Sequence, residues 1–479
     1  MKVGKKQIYI IVLELCAFLC SALYLGLYGS SLTFAKYSRF GVVVLLLDLV
    51  LFCIAQKRIV TIQTLFLMLF VLFQFGLPIV YAFNPKHYNF YMTLFSEKTL
   101  ISAVKYTIFA IQTYIIIATC VISNRNHAEK KGKVGKWTRT ILTHPRDVED
   151  AALLLFIITA IVAVPVNLWS AVRALTAGVA IGNLYRGAMA ANGLTRFLQE
   201  FFFSSALLYL CFSNKKKRKK VVIAVYLVVA LSMVLVADRS GGVTALIVCA
   251  LYYYYTGDKR KRKKNTLVLI GVGVVLAIVS SAVASIRSGE SSQSGISLLF
   301  SALEEMGFNF TCLCFVMDYI PSRTSYRLGM SYIVALILLI PKSLGLGAVY
   351  PKLQSYLGET WLWNANNLYG RDFLSFGVGF SMIAESYYNF SWCGLVVMIP
   401  LAVIITHLLK EKKFENAWSL YIRLALMLSF FTVPRRQFQS VIKAIEYSVF
   451  FMALYLLVYI GTKRKDKRNE TANDINRCI

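Results

Sequence analysis

The stretch GFSMIAESYYNFSWCGLVVMIPLAVIITHLL, residues 379–409, changes character at its midpoint. Its second half, from Leu395, is the unbroken apolar run of a lipid-facing segment. Its first half places a carboxylate, Glu385, among tyrosines, an asparagine and a tryptophan. An ionised side chain costs roughly 3 kcal/mol at mid-membrane and less near the interface. A polar face at the mouth of a membrane span therefore needs a compensating role.

The rest of the chain carries the same apolar signal. Of its 479 residues 58% are hydrophobic, and the mean hydropathy is +0.62. Apolar runs of about 20 residues, each able to cross ~30 Å of hydrocarbon, recur from end to end. This composition predicts an all-α, polytopic integral membrane helical bundle and excludes a soluble multidomain protein. The N-terminal run that follows Lys5 and Lys6 reads as an uncleaved first span. Most cysteines fall inside apolar runs and show no CxxC spacing, so they read as packing residues rather than metal ligands or a disulfide framework.

A net charge of +29 raises the question of nucleic acid, and its distribution answers it. The basic residues form short clusters between spans: KKKRKK at 215–220, KRKRKK at 259–264 and KRKDKR at 463–468. Such clusters mark cytoplasmic loops. With them inside, about twelve spans follow, at approximately 8–28, 40–56, 59–82, 99–122, 150–171, 197–213, 221–237, 241–256, 265–286, 379–409, 415–433 and 441–461. Both termini are then cytoplasmic, and the chain reads as a single membrane domain, 1–479. It has an external loop at 172–196 and a large external loop at 287–378. Within the latter, YIVALILLIP (332–341) is too short to span and reads as re-entrant or interfacial, the alternative being fourteen spans with 306–320 and 328–348 threaded as a pair.

In the cytoplasmic segments Lys outnumbers Arg by 23 to 10, whereas in the external and membrane set Arg leads by 12 to 7. Topology alone does not reverse that ratio. Arginine grips phosphate or carboxylate with a planar fork, lysine only as a point charge. The external arginines, among them Arg173, Arg186, Arg196, Arg239, Arg287, Arg323, Arg327, Arg371, Arg435 and Arg436, therefore suit an acidic group such as a diphosphate.

Read as one helix, the opening stretch puts Ser381, Glu385, Tyr388, Asn389 and Trp392 on a shared face. Just upstream, GETWLWNANNLYGRDFLSFG (358–377) mixes Trp361, Trp363 and Tyr369 with Asn364, Asn366, Asn367 and Asp372. Rings beside amides and carboxylates are suited to sugars, and they are equally what an interfacial aromatic belt contains. No Walker A loop, DxD or HExxH pattern occurs, which disfavours ATP-driven transport and metal-bound nucleotide-sugar chemistry and predicts no cofactor. His127, His144 and His407 fall on the cytoplasmic side and only His87 on the external side. An external general base is then expected among the carboxylates: Glu385 first, Asp372 in reserve, with Asp238, Glu304, Glu305 and Asp318 behind them. Together these features suit a metal-independent glycosyl transfer from a lipid-diphosphate donor on the outer leaflet.

The run from Gly370 through GRDFLSFGVGFSMIAESYYNFSWCG, with its Gly-x-Gly-x-Ser and Ala-Glu-x-x-Tyr-Asn-Phe core, resembles the Wzy-type O-antigen or oligosaccharide repeat-unit polymerases. The twelve-span layout with two enlarged external loops is similar too. The resemblance implies a GT-C-like glycosyltransferase in the bacterial plasma membrane. Such an enzyme moves a growing undecaprenyl-diphosphate-linked glycan onto the incoming repeat unit. It implies a catalytic Glu385, inside the matching core, and by position Arg173, Arg186, Arg196, Arg287, Arg323, Arg327 and Arg371 on acidic groups. The residues themselves add Asp372 as the reserve carboxylate and Arg239, Arg435 and Arg436 around the diphosphate. The ring-and-amide pattern above gives the glycan contacts as Tyr388, Asn389, Trp361, Trp363 and Asn367. The implied partners are the lipid-linked oligosaccharide, the bilayer, a chain-length regulator and a flippase, with no nucleic acid. An O-antigen ligase and a lipid-linked oligosaccharide flippase are the alternatives.

Overall fold

The structure, a computed structural model, describes residues 5–27, 33–56, 61–123, 145–176, 193–235, 239–257, 271, 296–340, 347–368, 379–409 and 417–478. Among these residues all regular structure is helical. Eight helices are long and apolar enough to cross a membrane: Gln7–Leu27, Phe34–Gln56, Ile62–Phe83, Glu97–Ser123, Asp147–Arg173, Met382–Leu408, Ala417–Arg435 and Phe438–Thr462. Of the four other expected spans, 265–286 lies outside the described residues. Those at 197–213 and 241–256 form the shorter apolar helices Leu198–Phe212 and Gly241–Thr256. The fourth lies in the Lys216–Leu235 helix, whose first turn is the exposed basic run itself. A polytopic helical membrane protein is the result.

Chain contacts divide the protein into two compact units. The first comprises Met1–Lys130, Gln293–Glu411 and Phe430–Lys443, and the second Lys131–Ser292, Lys412–Ser429 and Ala444–Ile479.

In the first unit the four N-terminal spans pack through small residues where backbones must approach. Gly41 lies under Phe75, whose ring carbon is 2.3 Å from where a Cβ would stand. Gly76 and Gly307 cross back to back, and a Cβ on Gly307 would lie 2.0 Å from the Leu77 nitrogen. Bundles in lipid associate by such close packing, because the solvent is as apolar as the side chains. Their interior is not wholly apolar. Thr119 donates to buried Glu14 at 2.8 Å, and Gln112 to buried Asp48 at 3.1 Å.

Two further helices, Leu299–Gly307 and Asn309–Tyr319, form an elbow bent by 44°, which is apolar enough to be a ninth, broken span or a re-entrant loop. Phe308 packs on Tyr91 at 5.0 Å, Phe310 on Phe34 at 6.1 Å and Phe315 on Phe95 at 4.8 Å. Phe34 begins one span, while Tyr91 and Phe95 lie in the connection between two others. The second arm of the elbow thus lies across the ends of the bundle. Further along, the apolar run at 332–341 contributes a helix of only eight residues, Met330–Ile337.

The 379–409 segment is not one straight helix. An α-helix covers Met382–Phe390, a 3-10 stretch covers Ser391–Val397, and a second α-helix covers Met398–Leu408. The break falls at Ser391, with φ +56°. It lets Gly394 lie against the preceding turn, where a Cβ would stand 2.2 Å from the Ser386 carbonyl oxygen. Trp392 therefore leaves the face it was expected to share with Glu385. Its ring stacks edge-on against Tyr106 at 5.4 Å instead.

The second unit packs the Pro145–Thr176, Gly193–Phe212, Lys216–Leu235 and Arg239–Thr256 helices with parts of the last two spans. Thr159 and Ser205 meet at 2.7 Å in its interior. Phe212, Trp418 and Tyr455 form an aromatic row, at 4.8 and 5.5 Å.

Candidate active site

The Met382–Phe390 helix positions the central residues. Ser381 caps its start, its hydroxyl accepting from the Ala384 N–H at 3.1 Å, as serine does where the first turn lacks partners. One turn on, Glu385 is wholly buried. Its Oε1 accepts from the Ser331 hydroxyl at 2.7 Å and its Oε2 from the Phe438 backbone N–H at 2.6 Å. A further turn on, Asn389 donates Nδ2 to Ser331 and to the Glu385 carbonyl, both at 2.8 Å. Its Oδ1 accepts from the Gly329 N–H at 3.0 Å. Among the described residues no basic side chain pairs with Glu385. Its charge is met by an O–H and an N–H from two other segments, bonds that ionisation strengthens. Glu385 thus ties this helix to the Gly329–Ser331 turn and to the chain just after Arg436.

Gly329 can serve that turn because its φ is +87°, a conformation that suits glycine. The residues before it close the other end of the helix. The Arg327 and Leu328 N–H groups donate to the Tyr388 and Asn389 carbonyls at 3.2 and 3.0 Å, satisfying acceptors that a helix terminus leaves open. The same step aims the Arg327 side chain at the site. Its Nε donates to the Tyr388 hydroxyl at 3.1 Å, and that hydroxyl donates to the Tyr356 carbonyl at 3.3 Å. The guanidinium lies over the Tyr356 and Tyr388 rings, 5.7 and 6.0 Å from their centroids. Held by one nitrogen, half-buried Arg327 keeps both terminal nitrogens without a bond to any described residue. Trp361 completes the aromatic wall, 4.8 Å from Tyr388. Trp363 and Asn367, on the same Gly358–Leu368 helix, are exposed.

The Val433–Arg435 turn brings in the arginine pair. Gln74 donates to the Pro434 carbonyl at 2.5 Å, and the Arg435 guanidinium lies 5.7 Å from the Phe73 ring centroid. Gln74 is nine residues from the end of the Ile62–Phe83 helix, about 14 Å along the axis. The turn therefore meets that span near its middle, yet both Arg435 and Arg436 are exposed. Cations at such depth occur where they face a polar interior rather than lipid. Gly379, at φ +74°, has the Asn309 side chain and the Arg435 carbonyl beside it, 3.6 and 3.8 Å from a would-be Cβ. Asn309 itself is buried, and its Nδ2 donor has no partner among the described residues.

The structure thus brings together Glu385, Tyr388, Asn389, Trp361 and Arg327, and ties the Arg435–Arg436 turn to them through Phe438. Asp372, Arg186, Arg287 and Arg371 lie outside the described residues, as do the side chains of Arg196 and Arg239. Ser331, Tyr356, Asn309 and the Phe438 N–H were not legible in the sequence. Ser331 meets Glu385 across 54 positions and Phe438 across 53. No spacing rule reports such contacts, and a backbone donor has no residue type to read.

No curated protein and no solved structure matches the chain. The family model of O-antigen polysaccharide polymerase Wzy matches residues 7–469. An all-helical membrane chain matched over nearly its whole length, with its polar residues gathered at a broken span, belongs to the O-antigen polysaccharide polymerase Wzy family.

Proposed function

We propose that this glycosyltransferase-type polymerase acts on undecaprenyl-diphosphate-linked repeat units at the outer face of the bacterial plasma membrane. It transfers the growing glycan from its lipid diphosphate to a hydroxyl of the incoming unit, in a GT-C-like architecture of about twelve spans with both termini cytoplasmic. The chain works as one membrane domain, with the 172–196 and 287–378 loops on the substrate side. A flippase that supplies units and a chain-length regulator fit this role as partners.

The observation that carries the reading is the guanidinium fork of Arg327, fixed by Tyr388 and with its terminal nitrogens unbonded among the described residues, in the segment that also holds buried Glu385 through Ser331. In glycosyl transfer from a diphosphate, negative charge grows on the leaving oxygen, and preorganised donors are most effective there. Arg327, Arg435 and Arg436 supply such donors; Arg186, Arg239, Arg287 and Arg371 remain candidates from the sequence, with side chains outside the described residues. These guanidinium groups take the part that a metal plays with nucleotide-sugar donors. Trp361, Tyr388, Asn389, Trp363 and Asn367 are the glycan side, with rings for pyranose faces and amides for hydroxyls. Of the two candidate carboxylates, Asp372 lies outside the described residues. Glu385 spends both oxygens on Ser331 and Phe438, so its contribution is to hold the Arg327 and Arg435–Arg436 segments in register.

Purified protein in nanodiscs, given lipid-diphosphate-linked repeat units, tests this directly. Wild-type protein yields a ladder of glycans, and Arg327→Lys shortens it sharply, because a point charge does not replace a bidentate fork. A wild-type ladder from Arg→Lys and Arg→Ala variants at 327, 435 and 436 alike would sink the clamp.

A further inference from the structure

The Met382–Phe390 helix begins with more donors than its own chain meets. Ser381 serves two of them: its hydroxyl accepts from the Ala384 N–H at 3.1 Å and its carbonyl from the Glu385 N–H at 2.8 Å. The Met382 and Ile383 N–H groups precede the first helical bond, and both residues are buried. Neither N–H has a bond to any described residue. Helical N–H groups point back along the chain, here toward Phe380 and Gly379. Gly379, at φ +74°, keeps that place free of a side chain.

A second helix of the same unit, Asn309–Tyr319, runs beside this start. Its Cys312 thiol meets the Ser381 backbone. One turn earlier, Asn309 Oδ1 lies 3.6 Å from where a Cβ on Gly379 would stand. Asn309 is therefore level with the residues ahead of the Met382–Phe390 helix, on the side to which its open N–H groups point. Nearby Thr311 is bonded to the Phe308 carbonyl at 2.6 Å, whereas Asn309 is only 3% exposed and its Nδ2 has no partner among the described residues. A buried donor without an acceptor weakens the fold, so its place here calls for a ligand oxygen. The Val433–Arg435 turn closes the same place: the Arg435 carbonyl is 3.8 Å from the Gly379 position, and Arg436 is exposed. Two backbone N–H groups and an amide beside an arginine turn form a donor set suited to phosphate oxygens.

We propose that Asn309 is a substrate-binding residue: its amide, with the Met382 and Ile383 N–H groups, receives a phosphate oxygen of the lipid diphosphate beside the Arg435–Arg436 turn. This deepens the polymerase reading above and rests on it. The arginines supply charge, which acts in every direction. The amide and the two N–H groups supply direction, and so fix where the diphosphate comes to rest.

The test is calorimetric titration of the full-length protein in nanodiscs with farnesyl diphosphate, a short polyprenyl diphosphate, against empty nanodiscs, with inorganic phosphate as a separate arm. Asn309→Leu should weaken farnesyl diphosphate binding by about 10- to 100-fold, the range for a hydrogen bond to a charged group. Without ligand, the same variant should unfold at or above the wild-type temperature, because it removes a donor that has no acceptor. Asn309→Asp, of the same shape but with a like charge facing the phosphate, should bind at least as weakly. A residue that only packs gives the opposite pair, a lower unfolding midpoint with wild-type affinity, and that result overturns the inference while the arginine clamp stands. If Asn309→Leu both unfolds early and binds weakly, Asn309→Asp decides, and wild-type affinity from it overturns the inference. Tighter binding of inorganic phosphate than of farnesyl diphosphate assigns the place to free phosphate and overturns it too. A wild-type protein that binds no farnesyl diphosphate overturns the polymerase reading, and this inference with it.

Discussion

Residue by residue, the site depends on a few acceptors meeting buried donors. Removing the Glu385 carboxylate leaves the Ser331 hydroxyl and the Phe438 N–H without it, and an unmet buried donor costs about 1–3 kcal/mol. Glu385→Ala should therefore lower the unfolding midpoint in detergent and reduce the product to single repeat units. Glu385→Gln keeps two acceptor sites in one smaller dipole and should unfold closer to wild type while still making shorter ladders, with KM raised more than kcat is lowered. If instead Glu385→Gln lost only kcat, the carboxylate would be reacting rather than holding. Ser331→Ala, which also unbinds the Asn389 amide, should cost about 1 kcal/mol. Sequence reasoning reached Glu385, Tyr388 and Asn389 because they share one short helix. It reached Arg327 only as one of many external arginines. Its aim at Tyr388 is set by a backbone pairing 61 residues away, which no local pattern encodes.

At the level of elements, two glycine contacts carry the geometry. The Gly76–Gly307 crossing sets how closely the elbow approaches the Ile62–Phe83 helix, and the clash at Gly307 is with backbone, which has little room to give. Gly307→Val should cost more than the 1–3 kcal/mol of ordinary overpacking and show up as loss of monodisperse protein on size exclusion. Gly394→Ala should separate the two halves of the broken span and weaken the Tyr106–Ser386 hydrogen bond of 2.8 Å. The apolar run after Leu395 was legible as a span, but its interruption was not. Helical periodicity over residues 381–392 favoured one continuous face, and only tertiary contact at Ser386 and Tyr106 reveals why it stops at Ser391.

For the whole molecule, composition was sufficient for the class: apolar runs and basic clusters mark a polytopic bundle without any tertiary information. The count of spans was less accessible, because Leu198–Phe212 and Gly241–Thr256 are shorter than a bilayer crossing. Reporter fusions after residues 214, 258 and 462 should all score cytoplasmic, and a fusion near residue 190 external. Reversed scores at 214 and 258 would invert the placement of the site. Deleting the gene should collapse the surface glycan to one repeat unit per acceptor, whereas a transport defect would leave none. The helix from Met382 to Phe390 is buried from its cap through Asn389 and half-buried at Phe390, so its positive pole is the better sheltered from water. Each pole amounts to roughly half an elementary charge. Its negative pole lies where Arg327 is anchored. Its positive pole follows Gly379, next to the Arg435 carbonyl and the Asn309 amide, whose Nδ2 has no partner among the described residues. Nine residues of backbone thus polarise their surroundings in the sense that draws an anion toward the arginine turn, a field that no side-chain substitution removes.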